Sequence, residues 1–440
     1  HEPHRRLNRL MRPTLLYHVY VFASAIMVPF FAWIETRKLR RAGVPVHRAH
    51  EKLGHATLRR EGVGPLVWFH AASVGESLSV LSVITEMGKL APRAQFLITS
   101  GTATSAELVA KRLPPRTVHQ FAPLDAPGPV TRFLKHWRPE AVVFVESELW
   151  PQMLSRARDI EARMVLVNAR LSEKSRNAWA RRPKTAAYIL GLFDLIMTQN
   201  DEMAEAMIAL GAHPDKVAPG INLKSLAPPL EQHHAVLAQI RTNLQGRPVW
   251  VAASTHKGEE KVVLNAHKEL LRQHPDLLLL LAPRHPDRSE EIARLIADAG
   301  LSYTIRSAGA MPDECAVYLA DTLGELGNWF VLSDAIFLGG GLTPMGGHNP
   351  YEVAQMGRGV ISGPEVFNFS ESYAEMERLG AIKTINSSTE LATAVDSLLS
   401  DTDTIEQFGR AARSFVRDNA AQLESIAARL VAVLEIADQP

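Results

Sequence analysis

Short apolar runs recur through residues 66–362, each followed by a polar loop and then by a stretch with helical periodicity. Leu66–Ala71, Gln95–Thr99, Ala141–Val145, Met164–Asn168 and Leu192–Thr198 read as strands, with helical patterns such as Ser77–Lys89 and Thr104–Arg112 between them. This alternation permits few architectures. A strand that returns parallel to its predecessor needs a helical crossover, and the product is a parallel sheet covered by helices. Leu226–Gln232, which contains two adjacent prolines, reads as a linker. The rhythm restarts with Val249–Ala253, Leu277–Ala282, Tyr303–Arg306, Val317–Ala320, Ala335–Leu338 and Val360–Ser362, with helices over Glu259–His274, Ser289–Ala299 and Glu406–Ala437. The expected fold is α/β, with two doubly wound, Rossmann-like domains at 37–227 and 228–440 facing a cleft. Ligands in such sheets bind at the carboxyl ends of the strands.

Residues 1–36 stand apart. Thr14–Ile34 is 21 residues long and contains no Lys, Arg, Asp or Glu. As a helix it would extend about 31 Å, close to the hydrocarbon thickness of a bilayer. Arg5, Arg6, Arg9 and Arg12 precede it, and Arg37, Lys38, Arg40 and Arg41 follow it. A spanning anchor fits, a helix lying in the interface is its main rival, supported by His18, Ser24, Pro29 and the basic flanks, and a buried core helix is a third reading. The overall formal charge of +1 hides this segregation: residues 1–60 hold 12 Lys and Arg against 3 Asp and Glu, and residues 61–440 hold 36 against 44. A basic arm on a mildly acidic body suits an anionic membrane face and gives no footprint for nucleic acid. The single cysteine, Cys315, excludes a disulfide framework and a Cys-based zinc site.

The polar strand ends carry the chemistry. AASVGE (71–76) follows a strand and opens a helix. Gly75 permits a tight turn there, and Glu76 is either a first-turn acid that complements the helix dipole or a catalytic carboxylate. The dipole favours the ionised form and argues against a strong base, whereas desolvation acts the other way. ESELWPQ (146–152) places Glu146 and Glu148 at another strand end, NARLS (168–172) adds polar donors, and GINLK (220–224) brings Lys224 near the linker. In the second half, STHKGEE (254–260), APRHPDR (282–288), DTLGEL (321–326) and a glycine-rich loop ending in GGHNPYE (346–352) each follow a strand. Helix N-termini, Arg284 and the backbone N–H groups of the glycine loop could cradle a phosphate, and Glu352 could accept ribose hydroxyls. There is no GxxxxGK[ST] loop and no GxSxG elbow. Asp401-Thr402-Asp403 falls in a late polar loop and reads as a helix cap.

Together these eight motifs resemble those of the 3-deoxy-D-manno-octulosonic acid (Kdo) transferases of lipopolysaccharide synthesis. The resemblance implies a GT-B fold and an inverting transfer of Kdo from CMP-Kdo to a lipid A precursor at the cytoplasmic side of the inner membrane, with no cofactor and no metal. Glu76 matches the family's general base, and Glu146 and Lys224 match transition-state stabilisers. Pro283, Arg284, Gly324, Glu325, Leu326, Asn349, Pro350, Tyr351 and Glu352 match CMP-binding loops. Tyr351 stands where an aliphatic residue is expected in many relatives, so its side chain is expected to tolerate change. A nucleotide-sugar epimerase or hydrolase of similar fold, and a tethered nucleotide-binding module without turnover, are the alternatives.

Overall fold

The computed structural model describes residues 12–220, 223 and 229–437. The chain divides into two compact units, 1–226 with 421–440, and 227–420. The first holds seven parallel strands: β1 (Leu66–His70), β2 (Gln95–Ser100), β3 (Thr117–Phe121), β4 (Ala141–Val145), β5 (Arg163–Ala169), β6 (Leu195–Thr198) and β7 (Val217–Pro219). Their order across the sheet is β3-β2-β1-β4-β5-β6-β7. Strands β1 and β4 read LVWFH and AVVFV and are buried throughout, as a parallel sheet covered on both faces requires.

The second unit repeats the plan with β8 (Val249–Thr255), β9 (Leu278–Pro283), β10 (Tyr303–Ile305), β11 (Val317–Leu319), β12 (Ile336–Leu338), β13 (Val360–Ser362) and β14 (Ile382–Thr384), ordered β10-β11-β9-β8-β12-β13-β14. Each sheet changes winding direction once, between β1 and β4 and between β8 and β12. At such a point the loops on either side diverge and leave a crevice.

Three strands escape the apolar pattern. In β3, His119 and Gln120 interrupt the apolar run, yet both are buried: His119 Nε2 lies 2.8 Å from the Ser100 hydroxyl, and Gln120 Oε1 accepts from Trp137 Nε1 at 2.8 Å. Strands β7 and β14 are three-residue edge strands, too short for a periodic signal. The final helix spans Thr402–Val433, and Asp401 caps it by accepting from the N–H groups of Asp403 and Thr404 at 3.1 and 3.3 Å. Residues 421–440 group with the first unit rather than with 228–420: Leu430, Leu434 and Ile436 are buried, and Glu435 pairs with Arg163 of β5.

The apolar N-terminal segment forms helix α1 (Leu15–Arg41). It lies along the first unit and is held at points spread over its whole length. Thr14 bonds Thr185 at 2.8 Å, and the Tyr17 hydroxyl accepts from Gln152 Nε2 at 3.0 Å. Tyr20 donates to Asp125 at 2.8 Å, and Leu39 is buried with Ala49, Ala106 and Phe121. Its other face is apolar and bare: Leu15, Phe22, Ile26 and Trp33 are 81, 70, 61 and 58% exposed. Of the basic residues expected before it, Arg5, Arg6 and Arg9 lie outside the described residues.

Asp125 is the clamp. Besides Tyr20, its carboxylate accepts from the N–H groups of Gln152 and Met153 at 3.1 and 2.7 Å, at the N-terminus of the helix Pro151–Asp159. Asp125→Ala orphans all three donors. It should cost roughly 2–4 kcal/mol, read as a lower urea midpoint, and should make α1 the first segment released in limited proteolysis.

Candidate functional site

Loops from both sides of the first switch point bring Glu76, Glu146 and Glu148 together. Helix α2 (Val74–Leu90) starts directly after β1, with Ser73 as its N-cap. The Ser73-Val74-Gly75-Glu76 sequence forms a variant of the capping box. The Glu76 N–H reaches the Ser73 hydroxyl at 3.3 Å, and that hydroxyl donates to Glu76 Oε1 at 2.9 Å. Oε2 accepts from the Ala72 N–H, also at 2.9 Å. Gly75 lies inside the first helical turn and is not among the glycines with positive φ, so it is not needed there as a turn residue.

Glu76 is buried. Burial raises its proton affinity, the charges of Glu148 and Glu146 raise it further, and the bonds from Ser73 and Ala72 oppose this only in part. The carboxyl therefore sits above the ordinary glutamate range. The direction is the one expected of desolvation, with the like charges of Glu148 and Glu146 adding to it.

Glu148 supplies part of that field. His70 Nε2 lies 3.1 Å from its Oε2, and Trp150 Nε1 donates to the same oxygen. A carboxylate only accepts, so Nε2 carries a hydrogen, and Nδ1 lies 3.0 Å from the Thr99 hydroxyl. Burial alone would push Glu148 up, but the bond and charge of His70 and the Trp150 N–H outweigh it, and Glu148 stays ionised.

Glu146 directly follows β4 with φ +56°, and Asn168, near the end of neighbouring β5, has φ +54°. Left-handed backbone at a non-glycine residue costs about 1–3 kcal/mol and persists where surroundings enforce it. Here Glu146 N–H donates to the Val167 carbonyl at 2.9 Å, and Asn168 Nδ2 donates to Glu146 Oε1 at 3.2 Å. Asn168 Oδ1 accepts from the Leu223 N–H at 3.1 Å, tying the GINLK segment to Glu146. Lys224 itself lies outside the described residues.

The second unit gathers its four loops at the carboxyl ends of β8, β9, β11 and β12. Helix α3 (Glu259–Leu270) follows β8, and Glu259 is wholly buried. Its carboxylate accepts from the N–H groups of Gly340, Leu342 and His256 at 2.8–3.0 Å. Burial still raises its proton affinity despite these bonds. The glycine loop thus spends its Gly340 and Leu342 donors on an internal carboxylate and not on an open cradle. Gly339 is required by space: a Cβ there would lie 2.5 Å from the Ser254 carbonyl oxygen.

Arg284 is exposed after β9, and its N–H donates to the Thr255 carbonyl at 3.1 Å. Pro283 ends β9 and is buried. His256 and His348 stack with ring centroids 5.1 Å apart, and His285 lies 5.6 Å from His256. Burial, with the neighbouring Arg284 guanidinium, lowers His348 to about 4, which keeps it neutral. Glu325 is paired with Arg306 at 2.9 Å and bonded by Thr322, while Gly324 takes φ +81° before the short helix that Leu326 opens. Asn349 accepts from the Tyr351 N–H at 3.1 Å, and Pro350 and Glu352 flank Tyr351 at the start of the next helix. Tyr351 is buried against Phe415, centroids 5.9 Å apart, so its side chain belongs to the core and is not the tolerant position expected. Among the described residues no group of three or more His, Cys, Asp or Glu is placed to hold a metal ion.

The roles of Ser73, His70 and Asn168 escape a reading by motif alone. The Ser-x-x-Glu spacing is a visible signal for the first, whereas the His70–Glu148 pair joins residues 78 positions apart.

A family model described as 3-Deoxy-D-manno-octulosonic-acid transferase (kdotransferase) matches residues 47–227. An Arabidopsis thaliana protein named "Probable 3-deoxy-D-manno-octulosonic acid transferase, mitochondrial" is 34% identical over 373 residues, covering 82% of this chain and 83% of that protein. The chain belongs to the Kdo transferase family. A Haemophilus influenzae 3-deoxy-D-manno-octulosonic acid transferase is 31% identical, covering 84% and 87%. The crystal structure of UDP-GlcNAc 2-epimerase from Neisseria meningitidis bound to UDP-GlcNAc is 13% identical with TM-score 0.55, covering 83% and 99%, a likeness of GT-B-type fold alone. The family-model match takes in Glu76, Glu146 and Lys224.

Because burial and the neighbouring carboxylates raise the proton affinity of Glu76, the folded state binds this proton more tightly than the unfolded chain. Stability from this group is full below the unfolded value and declines as pH rises through the folded one. Glu76→Gln, which keeps an acceptor for Ala72 and removes the charge, should therefore raise Tm at pH 7–8 and lose that advantage near pH 4. An unchanged or lower Tm at pH 8 would contradict the electrostatic account.

Proposed function

We propose that the chain transfers Kdo from CMP-Kdo to a lipid A precursor, with inversion, at the cytoplasmic side of the inner membrane. The observation that carries this reading is the Glu76 carboxylate: buried, fixed by two hydrogen bonds and raised in proton affinity, in a chain of this family. A carboxylate of raised proton affinity is a better acceptor for a hydroxyl proton than an ordinary one. Glu76 takes the proton of the acceptor's primary hydroxyl as that oxygen bonds to the anomeric carbon. The bond from that carbon to the phosphate oxygen of CMP breaks, and its electron pair leaves on CMP. Glu146, pinned in a strained conformation by Asn168, supports positive charge developing on the sugar ring, and Lys224 offsets negative charge on CMP or on the Kdo carboxylate.

The donor loops of the second unit divide the work. Arg284 pairs with the phosphate, and the neutral His348 and His256 donate or accept without adding charge. Pro283, the Gly324–Leu326 turn and Asn349–Glu352 form the walls for the nucleotide. The internal bonds of Glu259 and Glu325 support holding those walls in shape before the donor arrives.

Helix α1 supports membrane association of the interfacial kind. Both of its ends are fixed to the first unit while its outer stripe is apolar, so it fits a helix half-sunk in the headgroup region better than one that crosses the bilayer. Lys38, Arg40 and Arg41 in its last turn suit anionic headgroups.

The test is mass spectrometry of the product from CMP-Kdo and a defined lipid acceptor. Glu76→Ala should lower kcat about 10²–10⁴-fold with the fold intact, and full activity would remove Glu76 from the base role. Arg284→Ala, an exposed position, should raise the donor KM about 10–100-fold without moving Tm. An unaltered donor KM would take Arg284 out of the phosphate site.

A further inference from the structure

A cavity of about 530 Å³ opens between α1 and the strand ends of the first unit. One wall is α1, from Tyr20 to Glu35, a run of about 22 Å along the helix. Ala23, Met27, Val28 and Phe31 line that wall, and Leu124, Trp150 and Met153 stand among the residues opposite. The remaining boundary includes His70, Ala72 and Glu148, and it is the Ala72 N–H that holds Glu76. The cavity therefore adjoins the proposed base through a single residue.

Its polar groups are already matched with one another. Tyr20 bonds Asp125 at 2.8 Å, His70 faces Glu148 at 3.1 Å, and Lys52 faces Glu35 at 3.9 Å. An occupant is offered length and apolar surface and few free hydrogen bonds. The space suits a hydrocarbon chain: a methylene takes about the room of a water molecule, roughly 30 Å³, so the volume accommodates one chain of up to about 18 carbons. The helix that forms the wall also carries the bare stripe of Leu15, Phe22, Ile26 and Trp33 on its outer side. A chain leaving a lipid phase at that stripe has only the thickness of one helix to pass.

We propose that this cavity is an acyl-chain subsite, which receives one fatty-acyl chain of the lipid acceptor and so fixes the acceptor's hydroxyl beside Glu76. The inference rests on the transferase reading above. Insertion of the chain converts membrane affinity into position: the lipid is registered against α1, and the sugar it carries is registered against the carboxylate. A chain bound here also selects by length, since a longer one runs past Glu35 and Lys52 into charge.

Full-length protein in anionic vesicles is tested with two acceptors, an acylated one and its deacylated, water-soluble form. Ala23→Trp fills the cavity from an exposed helix position, and Ala25→Trp, exposed on the same helix but outside the cavity lining, is the control. Ala23→Trp should lower kcat/KM for the acylated acceptor about tenfold or more relative to the deacylated one, and Ala25→Trp should leave that ratio at the wild-type value. In parallel, an acylated acceptor carrying a photoreactive diazirine near a chain end should crosslink to Met27, Phe31 or Met153. Equal loss on both acceptors, or no loss on either, overturns the subsite. Crosslinking of those residues by diazirine-labelled phospholipid, undiminished by excess acceptor, assigns the cavity to bulk lipid and also overturns it. Absence of Kdo transfer by the wild-type chain to either acceptor sinks the transferase reading instead, and the crosslinks alone then decide the cavity.

Discussion

Glu76 holds its carboxyl in a place that resists ionisation. A parallel strand delivers the chain to the same edge of the sheet each time it ends, and the winding reversal between β1 and β4 sets two such ends side by side. Glu76 after one and Glu146 and Glu148 after the other then share a buried corner, and each raises the cost of ionising Glu76. The surrounding residues hold this arrangement in place. Ser73 and Ala72 fix both Glu76 oxygens, His70 and Trp150 keep Glu148 ionised, and Asn168 binds Glu146 while accepting left-handed backbone itself. Asparagine tolerates that conformation better than most residues, whereas glutamate at 146 does so only under constraint.

Helix α1 follows from a different balance. It is apolar on all sides, which in a globular protein signals a buried helix and in a membrane protein a spanning one. Here only Tyr17, Ala32 and Leu39 are buried, and hydrogen bonds from Thr14, Tyr17 and Tyr20 fasten the inner face to the first unit. Polar residues placed every three or four positions among apolar ones are what distinguish a docked helix from a free span. Lys38, Arg40 and Arg41 in its last turn belong to the same helix as the bare apolar stripe.

Most of the architecture could be read from the sequence because parallel strands are buried on both faces and show as unbroken apolar runs. Where a strand pays for burial with paired polar groups, as β3 does through His119 and Gln120, that signal fails. The site was half legible for a related reason. Glu76, Glu146 and the donor loops stand at strand ends, where position alone marks them. His70, Asn168, Asp125 and Lys52 act through partners 22 to 78 residues away or across from α1, and no local spacing announces such pairs. Tyr351 is the converse: it sits within a motif yet its ring is committed to packing on Phe415.

The second unit shows why a glycine-rich loop is weak evidence for a phosphate cradle. Gly339 is dictated by close approach to β8, and the N–H groups that follow are turned inward onto Glu259. That buried carboxylate does within the protein what a phosphate would do from outside, and it fixes the loop before any ligand binds. A free anion must then be met by groups that remain outward, of which Arg284 is exposed and always charged. The stacked His256 and His348 beside it are held neutral by burial and by their cationic neighbours. An arriving phosphate would reverse that balance, since a dianion beside an imidazole favours its protonated form. The glycine loop is thus fixed by internal hydrogen bonds, and the groups left to meet an anion are side chains such as Arg284.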